Sequence, residues 1–339
     1  MGRVYRYIVV NFLQTFSSIF FTIFFLVSVL FFIRISRLTS LFNVSFSDLG
    51  QMYLFMLPQI TIYTLPITFF ISVALALFKM SKENETIVLF ALGFDPRKIA
   101  RLFFLLAFVT SLFLLFNAIV FMPLSKQLNK NFIEAKKLEA KINVRPTEFG
   151  QKFDTWNLFV NRAGTHGYKD IVLYNPSMQK GETFIIAKDA HIVQDRGAIT
   201  LRLHEGRLFN FLPEALRQID YGALNISYRP KIKQIRMHSV ASYWSVAKKD
   251  PKRAKDLSQA VLIALFPLVS YLFALSFGIA HVRHENPNIY LHMFVVILLF
   301  YLMVYQVSLH APFGGTVAAF GLFYALSALY FKRKILVRY

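Results

Sequence analysis

Three groups of residues have the types and spacing that chemistry requires. Arg34 and Arg37 stand three apart, on one face of a helix end. Two guanidinium groups so placed can bind a phosphate or carboxylate in bidentate fashion, and equally can snorkel as anchors at a membrane border. Ser81, Glu83 and Glu85 precede the apolar Ile87, Val88, Leu89 and Leu92. Ser81 suits an N-cap, and Glu83 and Glu85 a first turn whose dipole favours carboxylates. Gly93 suits the stop, which predicts a short helix over about 81–92. It rests either on lipid or in the groove of a partner protein. The third group is His281-Val-Arg-His284-Glu285. Its order differs from both His-Glu-x-x-His and His-x-x-Glu-His, and Asn286-Pro287 breaks the helix at once, so no metal site is expected.

Other chemistry is missing. There is no Gly-x-x-x-x-Gly-Lys-[Ser/Thr] phosphate loop and no cysteine, which removes the usual nucleotide cradle, disulfides and thiol catalysis. No nucleophile with a paired base can be assembled. No catalytic residue, no cofactor and no enzymatic activity are expected.

The elements that must position these groups follow from composition. Hydrophobic residues make up 56% of 339 and Phe alone has 38 copies, which places the chain in the membrane class. A span needs roughly 20 mainly apolar residues. Six stretches qualify: 8–33, 52–78, 102–122, 257–279, 289–309 and 316–331. The first is too long for a cleaved signal peptide and lacks a small-x-small site. Pro58 and Pro66 in the second predict kinks, and Asp95-Pro96 reads as the N-cap and first position of the third. No span interior carries Asp, Glu, Lys or Arg, which argues against a proton relay or coupled-ion site.

Between the third and fourth spans lies a polar block from Leu124 to Asp256, with 24 of the 38 Lys+Arg and 13 of the 18 Asp+Glu. It opens on a helical pattern, Leu128, Phe132, Ala135, Leu138 and Ile142, which Pro146 ends. Strand signals follow at 157–161, 170–174, 183–188, 191–194, 198–204, 206–211 and 223–229, with turns at Asn175-Pro176 and Asp195-Arg196-Gly197. Seven or more short strands suggest a sandwich, jelly roll or curved open sheet. The domains are therefore 1–123 with three spans, 124–256 as an inserted β domain with helical connectors, and 257–339 with three spans and a basic tail.

Lys and Arg in the short loops set the orientation. With both termini cytoplasmic, twelve fall inside: Arg3, Arg6, Lys79, Lys82, Arg97, Lys98, Arg101, Arg283, Lys332, Arg333, Lys334 and Arg338. The opposite short loops hold only Arg34 and Arg37. The β domain is thus expected outside. The net charge of +20 comes with no aromatic-basic signature of nucleic-acid binding.

Three features together resemble the LptF/LptG lipopolysaccharide export permease family over essentially the whole chain. They are Leu57-Pro58 with Leu65-Pro66-Ile67 and Ala74-Leu75-Ala76-Leu77; Ser81-Lys82-Glu83-Asn84-Glu85-Thr86-Ile87 running to Ala91-Leu92-Gly93-Phe94; and six spans with one β domain after the third. The resemblance implies a permease subunit of an ABC exporter in the cell inner membrane of a Gram-negative bacterium. ATP hydrolysis would lie on a separate subunit and the β domain would be a periplasmic jellyroll-like fold. The implied partners are a homologous second permease (LptG or LptF), a cytosolic LptB ATPase dimer, a periplasmic LptC-like protein and lipopolysaccharide. The helix after span two becomes the coupling helix, with Glu85 its acidic residue and Ser81, Glu83, Ile87 and Leu92 beside it. Arg34 and Arg37 match a Lys/Arg-x-x-Arg pattern near the lipid's phosphates, closer to LptF than to LptG. The rival readings are an ABC permease for another lipid or lipoprotein, a lipid-modifying membrane enzyme, and a structural adaptor without transport.

Overall fold

The computed structural model describes residues 2–39, 45–142, 151–153, 155–164, 167–177, 181–195, 198–212, 215–228, 239–279 and 288–337. They form two compact units, a helical one and a β one, with the chain entering the β unit along a helix near residue 130.

Among the described residues, six helices of the helical unit are long and apolar enough to cross a membrane. They run in α1 (Gly2–Thr39), α2 (Phe46–Lys82), α4 (Pro96–Phe116), α7 (Pro251–Gly278), α8 (Ile289–His310) and α9 (Gly314–Phe331). Short α3 (Glu85–Ala91) lies between α2 and α4, and α6 (Val240–Ser245) precedes α7. A π-turn, Asn117–Phe121, joins α4 to α5 (Met122–Ile142).

Helices α2 and α7 are the centre: 67% and 78% of their apolar windows are buried, against 6% for α1. Small residues let the two backbones approach. On α2 these are Ser72, Ala74 and Ala76, and on α7 Ala260, Ala264, Ala274 and Gly278, all buried. At Gly278 the approach leaves no room for a side chain, because a Cβ there would stand 2.6 Å from Leu77 Cβ and 2.7 Å from the Ala74 carbonyl oxygen. Neither Pro58 nor Pro66 ends α2. Buried donors from the next span meet carbonyls near Pro58: Asn117 Nδ2 donates to Pro58 O at 2.9 Å and Ser125 Oγ to Phe55 O at 2.6 Å. In a medium without water such bonds replace solvation.

The β unit is one antiparallel sheet of six strands in sequence order: β1 (Gln151–Phe153), β2 (Trp156–Gly164), β3 (Gly167–Ser177), β4 (Gly181–Asp195), β5 (Ala198–Leu212) and β6 (Ala215–Tyr228). The inserted all-β domain is thus present, and its described strands make a meander. Two details differ from the expectation. Stretches 183–188 and 191–194 are one strand, as are 198–204 and 206–211. Asn175-Pro176 is no turn but paired strand, opposite Thr183 and Glu182. Pro176 lies past the last β2 pair, Asn157 with Tyr174, where β3 has a paired strand on one side among the described residues and a missing N–H is tolerated.

The reason the strands read as broken is a seam across the sheet. Pairing skips one residue on each of five strands, in line: Asn161, Asp170, Lys188, Glu205 and Gly222. Asp170 and Glu205 have left-handed backbones, φ 54° and 47°. The core side changes parity there. On β4 it is Ile185 and Ala187 before the seam and Ala190 and Ile192 after; on β5, Leu201 and Leu203 before and Leu208 after. Side chains alternate with period two, so one residue out of step flips the remainder. All neighbours flip together, so the ladder continues.

Candidate functional site

One of the groups that the sequence singled out forms α3 and its flanks. The expected helix over 81–92 is shorter, Glu85–Ala91, because Ser81 and Lys82 still belong to α2 and Glu83 caps it. Ser81 is therefore not the N-cap; Asn84 is, with a left-handed φ of 60°. Glu83 lies outside the first turn and only Glu85 stands in it. The C-terminal end is as expected. Gly93 has φ 81°, its N–H bonds Phe90 O and the Phe94 N–H bonds Leu89 O, both at 3.0 Å, which is the Schellman arrangement. Asp95 then caps α4, accepting from Arg97 N at 2.7 Å, with Pro96 in the first turn.

Two ties hold α3. One is buried: Ser81 Oγ donates to Gly278 O at 2.8 Å and Thr86 Oγ1 to Ser81 Oγ at 3.1 Å. This links α3 to the end of α7. The other is exposed: Tyr7 OH on α1 donates to Glu85 Oε1 at 2.6 Å. The second carboxylate oxygen, Oε2, is buried and has no hydrogen-bond partner among the described residues. Burying a carboxylate oxygen unpaired is costly, so Glu85 carries an unmet acceptor. Val88 and Leu92 are exposed. Ile87, Phe90, Ala91, Gly93, Arg97 and Leu336 are among the residues lining a cavity of about 630 Å³. A short helix with exposed apolar side chains, an acceptor and an adjoining cavity can take a protein partner.

The arginine pair stands apart. Arg34 is exposed at the far end of α1, and Arg37 lies in the same helix, its side chain outside what the structure describes. The two are not brought to α3. His281, His284 and Glu285 lie outside the described residues, and among those described no three His, Cys, Asp or Glu cluster as a metal site. Sequence reasoning missed Tyr7, Thr86 and Gly278. The signal for Tyr7 was a phenol at the polar edge of an apolar run, where an amphipathic ring finds a polar partner. For Gly278 no local signal exists, since its neighbour Leu77 is about two hundred residues away in sequence.

Farther along α7, Arg253 stacks 3.7 Å over the Tyr243 ring. Trp244 Nε1 on α6 donates to Ile119 O at 2.8 Å, within the π-turn. Lys126 and Asp256 pair at 3.2 Å.

A six-span helical protein with an all-β insertion and a short exposed helix between its second and third spans is the class these observations define. The chain matches the lipopolysaccharide export system permease LptF/LptG family over residues 6–332, and it belongs to that family. No curated protein matches it.

Proposed function

We propose that this chain is a permease subunit of an ATP-driven exporter that draws lipopolysaccharide from the inner membrane and passes it to a periplasmic bridge. The observation that carries the reading is α3 itself, a seven-residue helix between left-handed residues, presenting Glu85, Val88 and Leu92 beside a cavity. In this reading α3 is the helix that enters a groove of the cytosolic ATPase LptB. The sequence's missing phosphate loop agrees with nucleotide bound on that separate subunit. Ile87 lines the cavity and Ser81 fixes the helix from behind.

Both termini lie in the cytoplasm and the β unit in the periplasm, by the balance of basic residues in the short loops. Arg34 and Arg37 then stand at the periplasmic headgroup level, where guanidinium groups pair with lipid phosphates. Exposed apolar side chains of α1, such as Phe21, Phe25 and Leu30, face acyl chains or a homologous second permease. An LptC-like protein receives lipid from the β unit. The Arg34/Arg37 pair favours LptF over LptG in this reading.

Purification in mild detergent, with mass spectrometry of co-purifying chains and lipid, tests this. Capture of a Walker-type ATPase, a second six-span permease and lipopolysaccharide is the expected result. A chain with phospholipid alone, after crosslinking through α3 has excluded dissociation, refutes it. Glu85→Ala or Glu85→Lys is expected to abolish export at normal protein levels; unchanged export removes Glu85 from the coupling role.

A further inference from the structure

The fully buried side chains described on α1 lie toward its two ends. Ile8 and Phe12 are buried at one end and Ser28 and Ile35 toward the other, while from residue 13 to 27 no side chain is buried. Phe12 meets Phe69 of α2 and Phe103 of α4 edge-on. At the other end, Ser28 and Phe32 meet Tyr53 of α2. A straight helix of 38 residues is about 57 Å long and stiff. What grips its first turns therefore governs where the rest lies.

Helix α3 grips those turns. Tyr7 OH donates to Glu85 Oε1 at 2.6 Å, a length typical of a hydroxyl donating to a carboxylate, which is among the stronger hydrogen bonds. Two residues earlier, Tyr5 packs edge-on against Phe94, just past Gly93 and outside α3, centroids 5.6 Å apart. The left-handed Asn84 and Gly93 separate α3 from the helices on either side, so it can turn as a unit. On its other flank it is pinned to α7 through Ser81 and Gly278. Between a buried pin and a single phenol–carboxylate bond, the bond is the one that can transmit motion.

We propose that Tyr7 is a positioning residue, through which a push on α3 is delivered to α1 as a lever. This rests on the transport reading above and names the joint within it. Its loss separates ATP use from lipid movement while the Glu85 carboxylate and the arginine pair stay in place.

The test uses the full complex reconstituted in proteoliposomes, wild type against Tyr7→Phe, which removes only a hydroxyl on a ring 45% exposed. Two readouts are taken: lipid released per ATP hydrolysed, and the spin-label distance between positions 25 and 298, with and without ATP. Both positions are exposed, and the chain has no native cysteine to interfere. In Tyr7→Phe the lipid-to-ATP ratio is expected to fall at least about fivefold, the low end of ordinary coupling energies, and the ATP-dependent distance change to vanish. A merely structural role would move neither while the complex assembles. Retention of either the ratio or the distance change overturns the proposal and leaves the transport reading standing. A wild-type complex that releases no lipid with ATP overturns the transport reading first. Should Tyr7→Phe fail to accumulate, Tyr7→Leu is read by the same two criteria.

Discussion

Ser81 and Glu85 are four residues apart and do opposite work. Ser81 is buried and turned inward to the Gly278 carbonyl, whereas Glu85 keeps one oxygen on Tyr7 and one without a hydrogen-bond partner among the described residues. Ser81→Ala removes the donor to a buried carbonyl and is expected to lower stability by about 1 kcal/mol. The thermal midpoint of the purified chain should drop, with no change in which proteins it captures. Gly278→Leu is harsher, because its first carbon already overlaps Leu77 and the Ala74 backbone. Overpacking of this kind costs about 1–3 kcal/mol. The expected outcome is a lower midpoint and reduced accumulation, and an unchanged midpoint would mean the α2–α7 crossing is looser than described.

At the scale of elements, the seam in the β sheet is the feature that most invites measurement. Lys188 Nζ donates to Glu205 Oε2 at 2.8 Å across it, both ends exposed. That hydrogen bond, and then the charge, holds Glu205 below the usual carboxylate range and raises Lys188. A carboxyl group lowered on folding contributes stability above its unfolded pKa, and the contribution is lost as pH falls through the folded value. Acidification below about pH 4 should therefore lower the β unit's melting point more in the wild type than in Glu205→Gln. Equal acid sensitivity of the two would remove the pair from the account. The left-handed backbone at Glu205 favours glycine and opposes β-branched residues. Glu205→Gly is expected to melt higher than Glu205→Val, the comparison being free of the ion pair that both lack. Beside the seam, the Tyr221 ring covers Gly206 and its hydroxyl donates to Ile186 O at 3.1 Å; burial pushes that phenol up to about 12.

For the whole molecule, the proposed orientation makes a prediction that the lack of cysteine renders simple to read. A single cysteine at exposed Leu92 should react with an impermeant reagent only when the cytoplasmic face is open. One at exposed Glu182 should react from the periplasmic side of intact inner membrane. Labelling of both from the same side would contradict the orientation and the transport reading built on it.

Much of this protein was legible without coordinates, because its strongest constraints are local. Twenty apolar residues in a row have one low-energy fate in lipid, so six spans and their loops could be counted. Capping is equally local: Asp95-Pro96 and Gly93 marked ends that the structure has where expected. Short-range rules failed where a residue's partner is distant in sequence. Ser81 looks like an N-cap until Gly278 arrives to accept its hydroxyl. Tyr7 looks like a membrane-border aromatic until Glu85 meets it. Residues 188 to 191 and 204 to 206 look like strand ends until five strands shift parity in step. Sequence alone determined which segments leave water and where they turn, since solvation and backbone geometry act residue by residue. Only the tertiary structure decided that α3 is fastened to α7 and α1, since a hydrogen bond depends on placing two atoms within about 3 Å, whatever their separation along the chain.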